Sequence, residues 1–104
     1  MKIPKRFKLF GQTIAVKFDP LLVNENDNLG QAVYRRSEIR LQPNTAAHPR
    51  NPDQIGQTFC HELMHHMLYA ANAKKGDEWL HKDEVLVDVL GSLLHQALTT
   101  MEYK

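Results

Sequence analysis

His61-Glu62-Leu63-Met64-His65 places two histidines four residues apart, with a glutamate beside the first, inside a stretch whose apolar residues recur at helical spacing. On a helix, positions i and i+4 share a face, so both imidazoles can bind one Zn2+ while Glu62 reaches the water it activates as general base. The pentapeptide is short enough to arise by chance, and its weight depends on a third ligand elsewhere in the chain. Glu84 and Asp88 supply candidates: they follow His65 by nineteen residues or more, on a second apolar-periodic segment from Leu80 to Leu98. A catalytic zinc needs three protein ligands and an open fourth position, and Glu84 is the candidate third ligand. Metal-bound histidines donate their distal N–H to a carboxylate or carbonyl, a role that suits Asp88, one helical turn beyond.

Around this pair the chain reads as sheet, then helix, then helix. Lys8-Leu9-Phe10, Gly11-Gln12 and Thr13 to Phe18 predict a hairpin with a type II′ turn, apolar side chains at 14, 16 and 18 marking its buried face. Asp19-Pro20 closes the second strand, and the polar residues 24–28 predict a loop. A shorter hairpin is expected from Ala32-Val33-Tyr34 through Arg35-Arg36-Ser37 to Glu38-Ile39-Arg40-Leu41-Gln42, and the three prolines between Pro43 and Pro52 end the sheet. Asn51-Pro52-Asp53-Gln54 predicts a helix start, with Asn51 as N-cap and Gln54 at the capping-box position. That helix runs to about Asn72, before Lys74-Lys75-Gly76, with Ile55, Phe59, Leu63 and Met67 along its apolar stripe and Met64, Leu68 and Ala71 beside it. Leu80, Val87, Leu90, Leu94, Ala97 and Leu98 form the core face of the second helix, and Gly91 is expected to mark a close contact between the two helices. The expected fold class is therefore α+β: a small antiparallel sheet of two hairpins, followed by two main helices carrying the zinc site.

The run Thr58-Phe59-Cys60-His61-Glu62-Leu63-Met64-His65-His66, with Glu84-Val85-Leu86-Val87-Asp88 after it, resembles the gluzincin pattern of HExxH followed by ExxxD. Among compact members it is most similar to the ImmA/IrrE-type metallopeptidases of phages, mobile elements and their hosts. The likeness covers the C-terminal half of the chain. It implies that His61 and His65 are zinc ligands, Glu62 the base, Glu84 the third ligand and Asp88 its supporting carboxylate. It also implies a protein or peptide substrate, of which a repressor is one example.

A chain of 104 residues is expected to form one domain, residues 1–104, a minimal zincin-like peptidase without a separate C-terminal subdomain. No apolar run approaches the ~20 residues needed to span a bilayer, and Met1 to Phe7 is basic without the apolar core of a secretory signal. The single cysteine, Cys60, allows no internal disulfide and suits a reducing cytoplasm. Residues 1–52 carry nine Lys/Arg against four Asp/Glu, and residues 53–104 four against eight. An excess of that size spread over strands and loops reads as a solvated face, so nucleic-acid binding is disfavoured.

Several residues keep more than one reading. His81, Asp88 and His95 rival Glu84, since 84, 88, 91 and 95 fall on one helical side. His66 points about 100° from the metal face and reads as surface or packing; His48 reads as solvated and Cys60 as a small buried hydrophobe. His95 either polarises a substrate carbonyl or caps the helix contact. Tyr34, Tyr69, His81 and His95 are all candidates for stabilising an oxyanion. The strand Glu38 to Gln42 is the candidate edge for pairing an extended substrate, its charges alternatively guarding against aggregation. The rival to the enzyme is a zinc-containing module that recognises a regulatory protein without cleaving it.

Overall fold

The computed structural model describes residues 1–26, 28–75 and 80–103, so Asp27 of the expected loop and Gly76 after the first long helix lie outside the described residues. The chain begins with β1 (Arg6–Leu9) and β2 (Gln12–Phe18), followed by a short helix α1 (Leu22–Asn26). β3 (Gly30–Val33), a 3-10 turn over Tyr34–Arg36 and β4 (Glu38–Leu41) complete the sheet. Two long helices end the fold: α2 (Pro52–Lys75) and, after a 3-10 turn at Leu80–Lys82, α3 (Glu84–Thr100). The α+β class and both hairpins are as expected.

The strand order β1-β2-β4-β3 makes the sheet mixed rather than antiparallel throughout. Each hairpin is antiparallel, but β2 and β4 run parallel, with Ala15 opposite Glu38 and Phe18 opposite Leu41. Turn chemistry fixes each hairpin locally, whereas the join between them depends on α1, which lets the second hairpin enter alongside β2 with its later strand innermost. β4 is therefore an interior strand, and the expected edge at Glu38 to Gln42 is corrected to β3. Glu38 is accordingly not an exposed guard: it is 4% exposed and takes ion pairs from Lys17 Nζ at 2.7 Å and Arg40 Nε at 3.1 Å.

Two local assignments also change. The first hairpin turns at Phe10-Gly11, not Gly11-Gln12, because Leu9 pairs with Gln12 and both turn residues have positive φ (49° and 79°), the type I′ pattern. Residues 22–26 are helical because Leu22 is wholly buried and Asp19 caps the turn, accepting from Leu21 N at 3.0 Å. Buried Gln42 fastens this corner, accepting from Val23 N at 3.0 Å and donating to the Pro20 carbonyl at 3.1 Å.

α2 opens as its sequence predicts. Gln54 N donates to Asn51 Oδ1 at 2.8 Å, and Asn51 N donates to Gln54 Oε1 at 3.0 Å, a reciprocal capping box. Phe59 and Cys60 then pack with Ile14, Ile39 and Leu41 of the sheet, Phe7 meeting the Phe59 ring edge-on at 6.0 Å. The apolar stripe stops short of Met67, which is 40% exposed. α3 starts at Glu84 rather than Leu80, because Asp83 caps it by accepting from Leu86 N at 3.0 Å. Its buried line is Val87, Gly91 and His95, while Ala97 and Leu98 face outward. Among the described residues no helix is long and apolar enough to cross a membrane.

The lateral bonds that hold Glu38 outweigh the cost of burying it. Lys17 first, and Arg40 after it, keep its carboxyl below the ordinary value of 4.5. A depressed folded value means the stabilisation is present above the unfolded pKa and is lost as pH falls through the folded one. Glu38→Gln should cost about 1–2 kcal/mol in urea unfolding at pH 7, and the gap to the unsubstituted protein should close as acidification passes below the ordinary carboxylate range.

Candidate metal centre

The α2–α3 approach is closest at Gly91. A Cβ there would stand 3.0 Å from His61 Cα and 3.3 Å from the Cys60 carbonyl oxygen, tighter than side chains ordinarily pack, so glycine favours the close approach of the two backbones. The expected contact role of Gly91 is what the structure shows. One and two turns earlier on α3, Asp88 and Glu84 are thereby brought over the face of α2 that carries His61 and His65.

Glu84 Oε1 lies 3.1 Å from His65 Nε2, and Glu84 Oε2 lies 3.4 Å from His61 Nε2. One donor atom from each of the three residues falls within 4.8 Å of the others, so His61, His65 and Glu84 form a group that could hold a metal ion. Donors around a tetrahedral zinc with bonds near 2.0–2.1 Å sit about 3.3 Å apart, and each imidazole lies near that distance from a Glu84 oxygen, a different one in each case. Two imidazoles and one carboxylate, with the rest of the site open to a cleft, fit a three-ligand centre with a vacant position.

The orientation of each histidine has a visible cause. His65 Nδ1–H donates to the His81 carbonyl oxygen at 2.7 Å, which leaves Nε2 as the donor atom facing Glu84. Asn72 Nδ2 in turn donates to His81 Nδ1 at 2.8 Å, tying the end of α2 to the 3-10 turn. Asp88 Oδ1 stands 3.6 Å from His61 Nδ1, on the side expected of a supporting carboxylate but beyond hydrogen-bond length. The His81 carbonyl is thus a support that side-chain motifs did not reveal; its signal would have been the capped turn just before α3.

Glu62 is 7% exposed and lines the same cleft as His61, His65 and Glu84. Burial, with the Glu84 charge second, pushes its carboxyl up to about 7. A dication among the neighbouring donors would draw that value down again. A Cβ on Gly30 of β3 would come within 2.5 Å of Thr58 Cγ2 and 2.8 Å of Glu62 Oε2, so the bare backbone of the edge strand makes room for the carboxylate. The cleft has a volume of about 340 Å³ between α2, α3 and β3, with Gln31, Ala32 and Tyr34 on its sheet side.

Of the four candidates for oxyanion stabilisation, Tyr34 is the one placed in this cleft. Its ring stacks on Tyr69 at 4.3 Å and meets His66 and His81 edge-on. Burial first, then the charges of Glu62 and Glu84, push its phenol up to about 12, so it keeps its proton at neutral pH. Tyr69 faces a separate hollow with Phe10 and His66. His95 lies at the start of α2 instead, its Nε2 3.4 Å from Asp53 Oδ1 and close over Gly56, in the helix-contact role. His66 is buried, and its Nε2–H donates to the Glu38 carbonyl oxygen at 2.7 Å, fastening α2 to β4. His48 is half-buried rather than solvated, with Nε2 bonded to Asn24 Oδ1 at 3.0 Å. Cys60 is wholly buried and its thiol is pushed up to about 11, mainly by that burial, which fits a packing residue.

Comparison with family models, with curated proteins and with solved structures finds no match. The reading of the centre therefore rests on its own geometry. Gly91→Ala should push α3 off α2, lowering stability by about 1–3 kcal/mol and weakening divalent-metal binding in a chelator competition. Undiminished metal affinity in that variant would show that the helix contact does not set the donor spacing.

Proposed function

We propose that the chain is a zinc-dependent peptidase that hydrolyses a peptide bond in a protein substrate, with a site similar to that of gluzincins and, among compact ones, the ImmA/IrrE-type family. The supporting observation is the meeting, in one cleft, of the His61/His65/Glu84 donor group, a buried carboxylate that titrates near neutrality, and an unpaired strand edge. Zinc suits two nitrogen donors and one carboxylate, and when bound there it supplies Lewis acidity that brings a coordinated water toward pKa ~7.

The chain's own groups do the rest. Glu62 takes a proton on its carboxylate from the attacking water and delivers it to the leaving amine. Gly30 keeps the space that carboxylate occupies. Tyr34, protonated and held by its stack on Tyr69, offers an O–H to the oxygen on which negative charge develops. An extended substrate segment adds to the free edge of β3, where backbone N–H and C=O groups give affinity without a deep pocket. A repressor as substrate and a phage or mobile-element origin belong to the same reading through the family resemblance, and a cytoplasmic location through the single cysteine, Cys60.

Glu62→Gln should lower peptide hydrolysis by at least ~100-fold while the protein still folds and binds about one zinc per chain, with a zinc-dependent rise in Tm. Biological activity unchanged in that variant would favour the non-cleaving binding module, and protein that takes up no zinc would remove the reading altogether. Tyr34→Phe should lower kcat by about 10- to 1,000-fold with little change in KM; an unaltered kcat would take the phenol out of the reaction.

A further inference from the structure

Arg50, two residues before α2, is only 9% exposed, and its guanidinium meets neutral oxygens alone. Nη1 donates to the Gln42 carbonyl at 3.1 Å, while Nη2 donates to the Gln54 carbonyl at 3.1 Å and to Thr58 Oγ1 at 2.6 Å. Among the described residues no carboxylate pairs with it. Burial lowers its pKa from the ordinary guanidinium value. A buried cation without a counter-ion is disfavoured unless an anion arrives to share its site. A guanidinium has five N–H bonds, and the three contacts above leave two unspent.

The same residue lines an open groove of about 510 Å³ with Leu29, His48, Gln54, Gln57 and Thr58. Leu29, Gln57 and Thr58 also line the adjoining hollow, about 450 Å³, whose other residues include His61, Glu62 and Asp88. The two hollows share these three residues, a surface along one face of α2 from Arg50 to His61 and Glu62. Thr58 is its joint, since Oγ1 holds Arg50 while Cγ2 sits beside Glu62 Oε2 against Gly30. Charge is divided along it: Glu62 and Asp88 line one hollow and Arg50 the other, so Arg50 is the protein cation on this surface toward which an anionic group is drawn.

We propose that Arg50, its guanidinium held by Gln54 and Thr58, is a subsite for a carboxylate of the bound substrate, supplied either by a chain terminus or by an Asp or Glu side chain. The inference rests on the peptidase reading for the word substrate, but binding at Arg50 does not require cleavage. The two N–H bonds left over, on Nε and Nη1, each offer a charge-assisted hydrogen bond to one carboxylate oxygen, and the site being largely desolvated strengthens such a bond. The subsite would make the enzyme selective for segments with an acidic group a few residues from the scissile bond.

The test uses zinc-loaded Glu62→Gln protein and four probes: acetyl-tetra-alanine as free acid and as C-terminal amide, and amidated acetyl-Ala-Ala-Asp-Ala with its Asn counterpart. Affinities are measured by calorimetry, and the Arg50 Nε–Hε resonance by NMR. At least tenfold tighter binding of the free acid over its amide, or of the Asp peptide over the Asn peptide, with displacement of the Arg50 resonance, is expected; which pair differs identifies the source of the carboxylate. Arg50→Gln, where it folds by circular dichroism, should abolish the preference. Where it does not fold, the resonance in the Arg50-containing protein decides alone. Equal affinities within both pairs and an unmoved resonance would reduce Arg50 to a strut between β4 and α2. Carboxylate preference without hydrolysis by the unsubstituted protein would sink the peptidase and leave the subsite standing, and indiscriminate hydrolysis would do the reverse.

Discussion

The contact on which the site depends is the backbone approach of α3 to α2 at Gly91. A side chain at that position would press on the backbone of Cys60 and His61, the turn of α2 that faces Glu84. Everything else at the centre is secondary to that spacing. The 3-10 turn at Leu80–Lys82 sets where α3 begins, Asp83 caps it, and the His81 carbonyl of the same turn fixes the tautomer of His65. One short segment therefore both positions the helix that brings the carboxylate and orients a histidine that faces it.

The sheet has the complementary task of placing β3 beside α2. β4, buried between β2 and β3, is fastened to α2 by His66 on its Glu38 carbonyl, and Arg50 secures the carbonyl of Gln42 just beyond its end. These are hydrogen bonds from buried side chains of α2 and its approach to backbone oxygens of the sheet, and they tie the two layers together. With β4 so held, β3 is left as a free edge over Glu62, and Gly30 provides the clearance.

Elements whose signal is local were legible in the sequence. The capping box at Asn51 and Gln54, the i, i+4 histidines, the Glu84/Asp88 pair one turn apart and the contact glycine all depend on spacing along one helix, which sequence states directly. Errors came where two segments compete or where partners are distant. A turn at Phe10-Gly11 puts an aromatic at positive φ, against the usual preference, because the pairing of Leu9 with Gln12 outweighs that local cost. α1 forms because of buried Leu22 and the remote amide of Gln42, neither visible in the polar run that predicted a loop. The interior position of β4 is a tertiary fact, and so is the carbonyl that supports His65. Neither backbone pairing across 23 residues nor a carbonyl's direction is written in residue type.

Exposure is divided unevenly across the centre. The side chains of Glu84 and Asp88 are 68% and 75% exposed, whereas those of His61 and His65 are 27% and 11%. Exposed helix carboxylates contribute little to folding, so they are replaceable with small loss of stability, while the buried imidazoles are wedged into the packing. Under mutation, the donor group can be dismantled while the shape is retained: loss of Glu84 or Asp88 would leave a folded scaffold with its groove intact.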